Sequence, residues 1–263
     1  EITLQYLHPD GVPLWPLLCV TIACGAISGF HSTQSPIISR CLKNEKEGRF
    51  VFYGMMIAES LIALVWAAAA MSFYGGTEGL GQALANPAGP SGVVKDAAFT
   101  MMGTVGGVLA ILGVVVLPIT SGDTAFRAAR YTLAEWFNID QKSPANRYKI
   151  AIPLFIVGIA LSQMDFNILW RYFAWANQTL AMIVLWTGSA YLVKHNKNHW
   201  ISTLPATFMT AVSVTYILQA SEGFNLPTAI SYPSGIIAAA AAFLYFIFNI
   251  NKMKESVADS KAA

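Results

Sequence analysis

Apolar residues fill seven long stretches of this chain, roughly 14–38, 50–73, 101–122, 148–163, 169–193, 200–219 and 230–250. A bilayer core takes about 20 apolar residues as helix, so each stretch predicts a spanning helix. The fourth is short, at about 16 residues, and has to stand nearly upright or be shielded by its neighbours. Two spans carry polar interruptions. The run from Leu14 to Phe30 passes into Gly29-Phe30-His31-Ser32-Thr33-Gln34-Ser35-Pro36, and span three contains Leu117-Pro118-Ile119-Thr120-Ser121-Gly122-Asp123-Thr124. Every backbone N–H and C=O in lipid has to be satisfied, so such breaks are expected only where they line a cavity within protein. Two of them in one chain point to a transporter core.

The connectors alternate in charge. Arg40, Lys43, Lys46 and Arg49, then Arg127, Arg130, Lys142, Arg147 and Lys149, then Lys194 and Lys197, then Lys252, Lys254 and Lys261 fall on one side. That side holds 14 of the 16 Lys and Arg and leaves Lys95 and Arg171 on the other. The basic side is cytoplasmic by the positive-inside rule, which puts the N-terminal segment 1–13 outside and the tail 251–263 in the cytoplasm. The outer connector Tyr74–Thr100, rich in Gly and Pro, reads as a loop over the outer mouth. The inner connector Thr124–Ile139 has helical spacing and reads as an extension of span three. The tail, short, charged and rich in small residues, reads as unstructured.

Composition agrees. The chain has 263 residues, 55% hydrophobic and 11% charged, against about 25% charged in an average soluble domain. Its net charge of +2 is carried by scattered basic residues, without the clustered face that nucleic acid requires. Cys19, Cys24 and Cys41 form no Cys-x-x-Cys pair and read as small apolar residues, so neither a metal nor a cofactor is expected. Glu1–Pro13 lacks the basic start of a signal peptide, and the chain is expected to be trimmed or part of something longer.

Candidate chemistry gathers at the two breaks. His31, Ser32, Thr33 and Gln34 offer hydroxyl, amide and imidazole groups, and Pro36 withdraws a backbone donor from the carbonyl one turn earlier. The imidazole of His31 suits proton coupling, although a membrane histidine can equally be hydrogen-bonded structure. Thr120, Ser121, Asp123 and Thr124 supply oxygen ligands suited to sodium or a proton relay; Asp123 can instead pair with Arg127 at i+4. Glu59 lies near the middle of span two. Asn177 and Gln178 sit behind the aromatic run Trp170–Trp175 as further lining, or as interhelical hydrogen-bonding groups. Gly25-x-x-x-Gly29 and Gly103-x-x-x-Gly107 read as close helix packing. A hydrolase is disfavoured: Ile119 stands where a nucleophile elbow needs Gly before Ser121, and no HExxH motif occurs. A purely structural subunit would leave the broken polar helices without a role.

Three long segments, SGFHSTQSPIISRCLKNE (28–45), LPITSGDTAFRAAR (117–130) and FNILWRYFAWANQTLA (166–181), closely resemble the carbon starvation protein A family. The resemblance implies a secondary transporter in the bacterial inner membrane or the archaeal membrane, carrying peptides or, in other members, pyruvate with protons. It also implies an all-α fold of about seven membrane helices: the second inverted repeat of an amino acid–polyamine–organocation (LeuT-like) core plus two extra helices. Span one would be the broken helix six of that core and span three its helix eight. His31, Ser32, Thr33 and Gln34, with Asn177 and Gln178, are then expected to contact substrate. Thr120, Ser121, Asp123 and Thr124 are expected to hold a coupling proton or sodium ion. Members are much longer than this chain, so its partners are expected to be membrane lipid, a peptide or pyruvate substrate, and the absent N-terminal half of the carrier.

Overall fold

The computed structural model describes residues 14–21 and 28–262. The segment 1–13, Cys24 and Gly25 lie outside the described residues. Within these residues all regular structure is helical: α1 (Leu14–Thr21), α2 (Gly29–Ser39), α3 (Met55–Phe73), α4 (Thr77–Leu84), α5 (Gly89–Trp136), α6 (Pro144–Leu161), α7 (Phe166–Lys194), α8 (Trp200–Gln219) and α9 (Thr228–Ala262). A short 3-10 turn, Glu45–Glu47, and a π-turn, Arg49–Gly54, lead into α3. Four helices are long and apolar enough to cross a membrane by length and composition: Glu45–Phe73, Gly89–Trp136, Trp200–Gln219 and Thr228–Lys254. The other expected spans are less continuous. The first is described as α1 and α2 on either side of residues 22–27, α6 is 18 residues long and opens with Arg147 and Lys149, and α7 interrupts its apolar run with Arg171 and Asn177-Gln178-Thr179.

Several expectations are corrected. Both polar segments are themselves helical, although in span one Ser28, just before α2, is not. α2 continues through Pro36, and α5 continues through Pro118. In α5 the backbone leaves helical geometry at Gly103 instead, with φ 66° and ψ −172°. That conformation is open to glycine alone. The chain turns there so that Phe99 comes back against Gly107, where an added Cβ would stand 2.7 Å from the Phe99 ring. The Gly103-x-x-x-Gly107 pair therefore makes a bend within one helix rather than a packing face between two. The expected outer loop contains α4 and the start of α5. The extension of span three is helical as far as Trp136, and the tail, expected to lack structure, continues α9 to Ala262.

The chain divides into two compact units, residues 1–33 with 160–263, and residues 34–159. In the first, α7, α8 and α9 pack side by side and α1 lies against α7 and α8. Small residues permit this approach: Gly235 of α9 has no room for a Cβ beside Thr215 Oγ1, and Gly188 of α7 lies against Ser202. The indole N–H groups of Trp175 and Trp186 cross from α7 to the Ser213 carbonyl (3.2 Å) and Thr210 Oγ1 (3.0 Å), and Ser202 Oγ donates to the Leu185 carbonyl at 2.6 Å. Tyr232 OH of α9 donates to the Trp15 carbonyl at 2.7 Å. The second unit joins α3, α4, α5 and α6 and leaves large apolar side chains bare, among them Leu61, Leu64 and Val65 on α3 and Val105, Leu109 and Leu117 on α5. An apolar surface on that scale is one that lipid or protein has to cover.

Candidate functional site

The first four N–H groups of any helix lack partners within it. At the start of α2 the gap is closed from two directions. Ser28 Oγ accepts the His31 N–H at 3.5 Å, a local cap, while Asn177 Oδ1 of α7 accepts the Phe30 N–H at 2.7 Å and the Ser28 hydroxyl at 3.4 Å. Gly29 makes the contact possible: an added Cβ would meet the Asn177 carbonyl oxygen and stand 2.8 Å from Leu180 Cβ. Asn177 thus meets α2 at Ser28, Gly29 and Phe30, the residues just before the candidates His31, Ser32, Thr33 and Gln34. Within α2, Ser32 Oγ donates to the Gly29 carbonyl at 2.6 Å and Thr33 Oγ1 to the Phe30 carbonyl at 2.7 Å. His31 and Ser32 are half-buried, Thr33 is exposed, and Gln34 is buried.

Polar atoms without partners gather on α7 and α8. Gln178 is wholly buried, and neither its Oε1 nor its Nε2 has a hydrogen-bond partner. Asn177 Nδ2, Thr179 Oγ1, Ser213 Oγ, Thr215 Oγ1 and Gln219 Oε1 share that condition. Each unsatisfied group in a dry interior costs several kcal/mol, and Asn177 and Gln178 are the two of them that the sequence analysis named. Ser213, Thr215 and Gln219 were missed by the sequence analysis. Ser213 continues the hydroxyl stripe Thr203, Thr207 and Thr210 of α8, a pattern that does not single it out.

The residues proposed for ion coupling lie in the second unit. Thr120 Oγ1 donates to the Leu117 carbonyl at 2.8 Å and Thr124 Oγ1 to the Thr120 carbonyl at 2.9 Å, so both hydroxyls are engaged by their own helix. Ser121 is exposed. Asp123 pairs with Arg127 one turn on, with both side chains well exposed. Glu59 is exposed on α3.

A further cluster ties α7 to the end of α8, and nothing in the residue pattern announced it. Glu222, on the connector 220–227, accepts the Tyr216 hydroxyl on Oε1 and the Ser221 hydroxyl on Oε2 at 2.9 Å. Arg171 stands 3.6 Å from Oε2, and Tyr172 OH donates to the Glu222 carbonyl at 2.7 Å. Burial alone would raise the Glu222 pKa. The Tyr216 and Ser221 hydroxyls, a backbone hydrogen bond and the Arg171 charge together outweigh it and hold the carboxyl below its ordinary range.

Apolar helices that carry a buried polar junction define a multi-pass helical membrane protein. The chain belongs to the family described as carbon starvation protein CstA, whose profile matches residues 5–86 and 76–216. Over an alignment of 271 positions the chain is 26% identical to the peptide transporter CstA of Escherichia coli, covering 77% of this chain and 39% of that protein. A 67-residue stretch is 45% identical to the pyruvate/proton symporter BtsT of the same organism, covering 23% of this chain and 9% of that protein. An uncharacterized protein of Haemophilus influenzae is 57% identical over 120 residues, 46% of this chain and 87% of that protein. The chain thus spans less than half of the length of the transporters it matches. The two Escherichia coli relatives are named for transport and not for catalysis. No solved structure matches the chain.

Proposed function

We propose that this chain is part of a secondary carrier that imports peptides across the bacterial cell membrane by alternating access, with its N-terminus outside and its C-terminus in the cytoplasm. One observation carries the proposal: the polar start of α2 docks on Asn177 beside the fully buried, unpartnered amide of Gln178. A peptide backbone offers the donors and acceptors that such an amide lacks. His31, Ser32, Thr33 and Gln34 with Asn177 and Gln178 are the proposed substrate contacts. The fold of the whole carrier would be an inverted-repeat core, in which α2 opens the second repeat and α5 supplies the helix for the coupling ion, a proton or sodium, at Thr120, Ser121, Asp123 and Thr124. To bind an ion there, Asp123 has to exchange Arg127 for it. The remainder of a carrier of the relatives' length would complete both sites.

Import of pyruvate or another small acid with protons is the second reading, favoured by the matched segment of the pyruvate/proton symporter. Uptake of a labelled dipeptide and of labelled pyruvate into vesicles carrying the full-length protein, with proton and sodium gradients imposed separately, decides between them. Dipeptide accumulation driven by one gradient supports the first reading. If neither gradient drives either solute, both readings fail.

A further inference from the structure

The second unit carries an open-sided cavity of about 120 Å³ between α5 and α6. Arg127, Arg130 and Asp123 form its polar side, and Phe126, Leu154 and Phe155 its apolar side. The arrangement is built from the sequence upward. Arg127 and Arg130 are three residues apart and share a helix face. Gln141 Oε1 accepts from Arg130 Nη1 at 2.6 Å, and the Arg130 guanidinium lies 4.6 Å from the Tyr131 ring centre, which fixes its plane. Phe126 stacks on Phe155 with ring centres 4.6 Å apart. Gly158 leaves the room that ring needs, since an added Cβ would stand 2.8 Å from Phe126 Cζ.

We propose that this cavity binds the phosphate of an anionic phospholipid headgroup through Arg127 and Arg130. Two guanidinium groups face one carboxylate, so the cavity keeps a net positive charge. Each guanidinium carries five N–H donors, and Asp123 and Gln141 engage only one of each. The volume holds several waters and so admits a phosphate group. The aromatic wall separates a lipid from free phosphate, because it offers apolar contact where a headgroup meets its acyl chains. Lys142, Arg147 and Lys149 follow directly in sequence and place the cavity at the basic end of the helices, the side on which anionic lipid is held at a membrane surface.

The test is native mass spectrometry of the full chain in detergent, with dioleoyl phosphatidylglycerol and dioleoyl phosphatidylcholine added at equal concentration. Two arginines should favour the anionic lipid by roughly tenfold. Arg127→Gln with Arg130→Gln should remove the preference. Ala151→Trp, at another lining residue, should remove it by filling the cavity while leaving both charges in place. Arg171→Gln, in the other unit, should leave it intact. Equal retention of the two lipids, or an undiminished preference in Ala151→Trp, overturns the proposal. So does inorganic phosphate in excess if it is retained alone and abolishes the preference, because the occupant is then a soluble anion.

Discussion

Asn177 Oδ1 accepts the backbone N–H of Phe30 at 2.7 Å, so a side chain from α7 caps the first turn of a helix that lies 147 residues earlier in the chain. The bond gives α2 a fixed starting point, and with it the position of His31 and Ser32. Asn177→Leu keeps the volume and strands the Phe30 donor in a buried site. The expected loss is about 1–3 kcal/mol, read as a lower unfolding temperature of the detergent-solubilised chain. An unchanged transition would mean that α2 is held by packing alone.

Gly29 supports the same junction by having no side chain. Gly29→Ala pushes a methyl group into the Asn177 carbonyl and Leu180, and overpacking of this kind costs about 1–3 kcal/mol. Gly81, in α4, has nothing within 4 Å of its added Cβ. There, the same substitution should be neutral or should stabilise by about 0.5–1 kcal/mol. Thermal unfolding of the two variants side by side separates close approach from helix propensity, and equal shifts would refute the close approach.

At Gly103 the constraint is conformational and not spatial. Its φ of 66° is strained for any L side chain, although no atom lies near the added Cβ. Gly103→Ala should destabilise by about 1–3 kcal/mol. The bend can be followed through a Phe99→Cys, Gly107→Cys pair, which forms a disulfide only while the turn brings residues 99 and 107 together. Cross-linking that survives Gly103→Ala undiminished would show that the bend does not depend on glycine.

The contrast between these glycines and the prolines explains how much of the molecule was legible in advance. α3 and α8 end where the apolar runs end, because lipid exposure writes hydrophobicity into every turn of a spanning helix. Pro118 was expected to break its helix and does not: a proline removes one donor, and the neighbouring turns stay helical. Gly103 stood in a small-xxx-small pattern whose commoner meaning is packing between helices, so the bend was invisible. Asn177 and Gln178 were legible because amides are conspicuous in an apolar run. Ser213 and Thr215 were not, since membrane helices carry many hydroxyls that bond their own backbone, as Thr207 does to the Thr203 carbonyl at 2.9 Å. Only packing shows which of them lack a partner.

Glu222 gives the first unit a dependence on pH. Its folded-state pKa lies below the ordinary value of 4.5, so the carboxylate adds stability that is fully present above that value. The contribution is lost as pH falls from about 4.5 through the lower folded value. Unfolding temperature should therefore drop more steeply below pH 4.5 in the unaltered chain than in Glu222→Gln, which has nothing to titrate there. Parallel curves would show that the Tyr216, Ser221 and Arg171 contacts do not favour the charged form.

Gln178 separates the demands of folding from those of binding. Both ends of its amide are buried without partners, so replacing it by an apolar residue of similar volume removes a desolvation cost and sacrifices no hydrogen bond. Gln178→Leu should leave the unfolding temperature unchanged or raise it. The same substitution in the full-length carrier should lower gradient-driven uptake about tenfold, the equivalent of one hydrogen bond of about 1.4 kcal/mol to the solute. Gln178→Glu is the counter-test: it keeps the shape but adds an unpaired charge in a dry site, and it should lower the stability of the chain itself. A Gln178→Leu variant that unfolds earlier would mean that the amide already has partners in the folded chain, and normal uptake by that variant would remove Gln178 from the substrate site.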